Sequence, residues 1–156
     1  MEQELVDIRT PEARLDAFLH HGVTPAQMAG ITGEQLQAIE SLALDDFAAG
    51  RFDASMDRWA FLVEHDPWER RYQIGLANAL QRLGQWEAAG RFYAQALLAD
   101  ATDALCAYRA GECLGAMGDL EAAREAFEAA IKLSWLAPEH LAVREAAQAR
   151  LDQIAQ

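Results

Sequence analysis

Between residues 36 and 137 the apolar positions of the chain follow a helical spacing that itself recurs every 34 residues. Gly50, Gly84 and Gly118 mark the interval (84 − 50 = 34; 118 − 84 = 34). Two residues past each comes a large apolar side chain: Phe52, Trp86, Leu120. Five past comes a small one, Ser55, Ala89 or Ala123, and nine past an aromatic, Trp59, Tyr93 or Phe127. Leu62, Ala96 and Ala130 follow at twelve, and small pairs precede each glycine by eight and seven: Leu42–Ala43, Leu76–Ala77, Ala110–Gly111. A helical period alone does not lock this many residue classes to one interval.

The pattern predicts paired antiparallel helices joined by a tight turn. Each glycine ends a first helix, where positive φ costs least. Small residues let the two helices approach, and the aromatic of the second helix fills the hole between one unit and the next. One such hairpin cannot bury its apolar face alone, so units stack. This is the 34-residue tetratricopeptide pattern. The expected fold is all-α: three repeats (36–69, 70–103 and 104–137) in a right-handed superhelical solenoid. Only the first closes with a proline, Pro67; Ala101 and Trp135 stand at that place in the others.

The flanks carry helix signals of their own. Thr10-Pro11-Glu12 is a cap, a first-turn proline and an acid at the positive end of the helix dipole, predicting a helix to His21 that stops at Gly22. Thr24-Pro25 starts a very short second helix, and Thr32 with Gln35 is a capping box opening the first repeat. Residues 1–35 thus form an N-terminal helical segment. Its stripe of Leu15, Phe18 and Leu19, at i, i+3, i+4, fits packing on the first repeat and a self-association surface equally well. Pro138 opens a final helix over 138–156 that caps the open end of the stack.

Composition narrows the function. The formal net charge of −12 argues against nucleic acid and against anionic membrane surfaces, both of which need basic side chains. The amino terminus, MEQELVDIRTPEARLD, lacks a basic start and apolar run, and no stretch reaches the roughly 18 apolar residues of a spanning helix, so a cytoplasmic protein without membrane insertion is expected. Cys106 and Cys113 are seven residues apart, about 10 Å on one helix, too far for a disulfide and without metal-ligand spacing. There is no G-x-S-x-G, H-E-x-x-H or Walker loop, and "GECLGAMG" (111–118) has its glycines at repeat positions and no preceding strand. No catalytic residue, metal site or cofactor is expected.

What remains is a surface. First helices of such repeats line a concave groove. Leu44, Phe47, Ile74, Leu105 and Tyr108 are placed to accept side chains of an extended peptide, and Arg71, Asn78 and Gln81 to bond its backbone. A peptide-binding adaptor for folded partners is one reading of such a groove.

A second reading comes from resemblance. "FLHHGVTPAQMAGIT" (18–32), "LQAIESLALDDFAAGRFDAS" (36–55), "IGLANALQRLGQWEAA" (74–89) and "AGECLGAMGDLEAA" (110–123) together resemble the class II chaperones of bacterial type III secretion. That resemblance implies a cytoplasmic, non-enzymatic chaperone that holds an extended N-terminal segment of hydrophobic translocator proteins, keeping them soluble and apart before export. It implies homodimerisation through N-terminal residues in several members, and help to a transcription activator in some. Carried over, the pocket residues are Leu44, Phe47, Phe52, Ile74, Leu76 and Tyr93. Glu40 departs from the family, which often has an aromatic there.

Overall fold

The computed structural model describes residues 8–155, so the first seven residues of the predicted N-terminal segment and the last residue of the predicted cap lie outside it. Among the described residues the chain forms α-helices and one 3₁₀ turn, without strands. They run α1 (Pro11–His21), α2 (Pro25–Met28), α3 (Gly33–Ala48), α4 (Phe52–His65), α5 (Arg70–Arg82), α6 (Trp86–Ala99), α7 (Ala104–Ala116) and α8 (Leu120–Ser134). A 3₁₀ turn over Pro138–His140 then leads into α9 (Leu141–Ile154).

Local chemistry explains these boundaries. Thr10 accepts from the Ala13 amide, and Gly22 closes α1 at φ 66°. Thr24 with Gln27 and Thr32 with Gln35 form reciprocal capping boxes, so both orphan amides at each start are satisfied. The second box starts the first repeat helix at Gly33, ahead of residue 36. The three hairpin turns share one closure. Gly50, Gly84 and Gly118 have φ of 76°, 73° and 85°. The amide after each glycine donates to a carbonyl five residues back, Arg51 to Asp46, Gln85 to Leu80 and Asp119 to Leu114, at 2.8, 2.9 and 3.1 Å. This is the Schellman closure repeated at the sequence interval.

Successive helices α3 to α9 pack as neighbours, giving three stacked hairpins and a terminal helix. Small residues sit fully buried where paired helices touch: Ala43 against Ser55 (whose hydroxyl donates to the Ala43 carbonyl at 2.8 Å), Ala77 and Ala89, Ala123. One sequence expectation needs correction. Trp59 does reach the next repeat: a Cβ added at Gly75 of α5 would overlap its indole carbons. Phe127 instead lies against Gly111 of its own repeat, where an added Cβ would come within 2.8 Å of the ring. The Tyr93 hydroxyl bonds to its own first helix, and its side chain shares one core cluster with Cys106 and Cys113 of the next repeat.

Ionic ties reinforce the stack. Arg70 donates to the Ala96 carbonyl (2.9 Å) and to Asp103 (2.5 Å), joining α5 to the α6–α7 turn. Arg144 of α9 donates to Ser134 and lies over the Trp135 ring at 3.4 Å. Ala147, Val143, Leu151 and Ile154 complete a second core around Phe127 and Ala130. Both cysteines are buried thiols, Cys106 pushed up to about 12 and Cys113 to about 11 by burial, which leaves them unreactive.

Candidate functional site: the face of the first helices

The first helices α3, α5 and α7 are bridged side by side by long polar side chains. Arg71 of α5 reaches Glu40 of α3 at 3.2 Å, and Gln81 of α5 donates to Glu112 of α7 at 3.0 Å. A cleft lies between α5, α7 and the end of α9, beside the starts of α6 and α8. It has a volume of about 650 Å³ and is lined by Gln81, Trp86, Gly111, Glu112, Gly115, Ala116, Leu120, Phe127, Arg150, Gln153 and Ile154.

The predicted groove residues divide three ways. Leu44 and Leu105 are exposed, at 55% and 47%, as free apolar side chains. Phe47, Phe52, Ile74 and Tyr108 are half-buried; Phe47 and Phe52 meet edge to face at 5.2 Å. Leu76 and Tyr93 are core residues, at 5% and 1% exposure, and belong to the main core. The polar trio is engaged internally. The Tyr93 hydroxyl lies 2.7 Å from both Asn78 Oδ1 and Gln81 Oε1, donating to one at a time, and burial pushes its pKa upward. Arg71 serves Glu40 and Glu69. Each of the three thus already bonds within the protein: Arg71 and Gln81 to adjacent first helices, and Asn78 to Tyr93 of its own hairpin.

Glu40 is half-buried and paired with Arg71 at 3.2 Å. In the N-terminal stripe, Phe18 stacks on Trp68 (5.0 Å, 19°), whereas Leu15 and Leu19 stay exposed.

Sequence reasoning missed the cleft. Its signal was present: Trp86 and Leu120 are the 34-residue equivalents of Phe52, and Gly115 of Phe47. The contribution of α9 carried no such signal. Glu112 forms the polar wall. It accepts from Gln81, Arg109 (2.8 Å), Arg150 (2.9 Å) and Tyr108 (3.0 Å), linking two repeats and α9. Burial raises its pKa, but the hydrogen bonds from Arg150, Arg109 and Gln81 outweigh this, and the carboxyl titrates below the ordinary range.

A depressed folded pKa means that the folded state holds its proton less tightly than the unfolded chain. The stabilisation is complete above the unfolded value, about 4.3 for glutamate, and is lost as pH falls through the folded value. Thermal melts of wild type and Glu112→Gln should therefore differ most at neutral pH, and the difference should shrink as pH falls below the unfolded value and through the lower folded one. Relief of the net negative charge acts on both proteins alike, so the difference isolates Glu112. A constant difference down to pH 3 would contradict this role.

Comparison with known proteins fits this geometry. The family model for the tetratricopeptide repeat matches residues 105–134. The low calcium response locus protein H of Yersinia pestis is 27% identical over 120 residues, 77% of this chain and 71% of that protein. A type III secretion complex from Aeromonas hydrophila contains a chain 27% identical, with a TM-score of 0.84, covering 91% of this chain and 95% of that one. PcrH, solved in complex with the chaperone binding region of PopB, is 30% identical with a TM-score of 0.73, covering 78% of this chain and 98% of that one. The chain belongs to the tetratricopeptide-repeat translocator chaperones of type III secretion. Its relatives are chaperones, and among the described residues no helix is long and apolar enough to cross a membrane and no cluster of metal-ligating side chains occurs.

Proposed function

We propose that this chain is a non-enzymatic chaperone of the bacterial cytoplasm that holds an extended segment of a hydrophobic translocator protein along α3, α5 and α7. The observation that carries this reading is the free apolar surface of Leu44 and Leu105 on the helices that line the groove of such repeats, with half-buried Phe47 and Ile74 beside them. PcrH, a relative of the same fold, is solved in complex with the chaperone binding region of PopB. The unit boundaries 36–69, 70–103 and 104–137, the N-terminal segment 1–35 and the cap 138–156 are the working division of the chain.

Each apolar anchor contributes roughly 1.5–3 kcal/mol. Three anchors, less the cost of ordering a flexible segment, give a Kd on the order of micromolar. That strength protects a client and still releases it.

The cleft beside Trp86 is a deep anchor site for one bulky side chain. Gly115 is in ordinary contact there, an added Cβ lying 3.7 Å from that of Ala123. Gly115→Leu should fill the cleft, keep or raise the melting temperature because leucine favours helix by about 1 kcal/mol, and weaken binding of the cognate translocator segment about ten-fold. Calorimetric titration checks this; unchanged affinity would remove the cleft from the binding surface.

Self-association is proposed through Leu15 and Leu19 of α1, each more than half exposed. Leu15→Glu with Leu19→Glu should shift a dimer to monomer in sedimentation velocity without changing helical content. An unchanged sedimentation profile would rule α1 out as the contact.

A further inference from the structure

We infer that Arg82 is a specificity residue that reads a carboxylate on the bound segment, next to the apolar anchor that enters beside Phe47 and Phe52. The inference rests on the groove reading above.

Arg82 ends α5 and is exposed. Its guanidinium lies 4.2 Å from the Phe52 ring centroid and 5.8 Å from that of Phe47. Among the described residues no carboxylate lies within ion-pair distance of it. The other guanidiniums along these helices are already taken: Arg71 by Glu40 and Glu69, Arg109 and Arg150 by Glu112. Arg144 also lies over a ring without an acid, but its guanidinium donates to Ser134; Arg82 stands beside groove aromatics in a chain of net charge −12.

The repeat itself supplies the comparison. The residue 34 places after Arg82 is Ala116, which lines the cleft beside Trp86, the equivalent of Phe52. The two junctions share a frame, with Phe47, Phe52 and Arg82 in the first standing where Gln81, Trp86 and Ala116 stand in the second: alanine leaves the second open, and arginine lies beside the rings of the first. A guanidinium drawn over an aromatic ring without an acid partner still has N–H groups to offer, in the fork that fits a carboxylate bidentately. The first junction is thereby suited to an apolar side chain with an aspartate or glutamate close by, and the second to a large apolar side chain alone.

The test is a selection of randomised 12-residue peptides on the immobilised full chain. Wild type should enrich apolar residues with Asp or Glu at a fixed offset from one of them. Arg82→Gln should keep the apolar enrichment and lose the acid, and Arg82→Glu should replace it with Lys or Arg. For one selected acidic peptide, Arg82→Gln should weaken binding about three- to ten-fold at low salt, the difference fading by about 0.5 M salt. Equal melting temperatures would confirm that the exposed substitutions leave the fold intact. Apolar enrichment without an acid, or an acid preference that survives in Arg82→Gln, overturns the role of Arg82 alone. No apolar enrichment at all overturns the groove reading beneath it.

Discussion

Trp59→Ala should lower the melting temperature by about 10 °C, the largest stability loss expected from a single truncation in this chain. Trp59 is 3% exposed, and its indole fills the recess left by the bare backbone of Gly75 on the next repeat. Removing a buried tryptophan costs about 3–5 kcal/mol, and in a chain of this size each kcal/mol moves the midpoint by about 2–4 °C. Filling the recess from the other side should also destabilise. Gly75→Ala gains about 1 kcal/mol of helix propensity but forces the indole aside, which costs about 1–3 kcal/mol or more. The two sites share one volume, so Trp59→Leu combined with Gly75→Ala should cost less than the sum of the single changes. Because stacked repeats contact only their neighbours, hydrogen exchange should rise first in α3 to α5 and last in α8 and α9. Additive single and double variants would contradict the packing described.

Much of this architecture is legible without coordinates. The 34-residue interval, the turn glycines and the Thr-Pro and Thr-x-x-Gln starts are local or periodic signals, and each corresponds to an observed turn or cap. What stays hidden depends on how one repeat is rotated against the next. The same aromatic position sends Trp59 forward onto Gly75 and Phe127 back onto Gly111, because the receiving glycine sits at different places in the two repeats. Phe18 leaves its helical stripe to stack on Trp68, a residue fifty positions on. Asn78 and Gln81 look like free polar groups in the sequence, yet the buried hydroxyl of Tyr93 lies within hydrogen-bond reach of both side-chain carbonyls and donates to one at a time. The return of α9 to Glu112 through Arg150 follows no repeat and leaves no periodic trace. Leu44 and Leu105, by contrast, are exposed as the repeat positions predict for groove residues.

Leu44→Glu should weaken binding of the cognate translocator segment about 100-fold while leaving the fold unchanged. At 55% exposure the side chain contributes little to the core, and a surface substitution of this kind costs within about 0.5 kcal/mol. Ile74 is packed against the main core, so Ile74→Glu mixes binding with folding and is the poorer probe. Losing one aliphatic anchor removes roughly 2 kcal/mol, about 30-fold in Kd, and a carboxylate held against an apolar client side chain adds its desolvation to that loss. Leu105→Glu should act in the same direction from the other end of the face. Leu98, on a second helix and 89% exposed, serves as control. The direct measurement is calorimetric titration of the translocator segment into wild type, Leu44→Glu, Leu105→Glu and Leu98→Glu, with melting curves taken on each. Micromolar binding lost in the first two variants and kept in the third is the predicted result; affinity that drops for Leu98→Glu but holds for Leu44→Glu and Leu105→Glu would place the client on the opposite face and contradict the account.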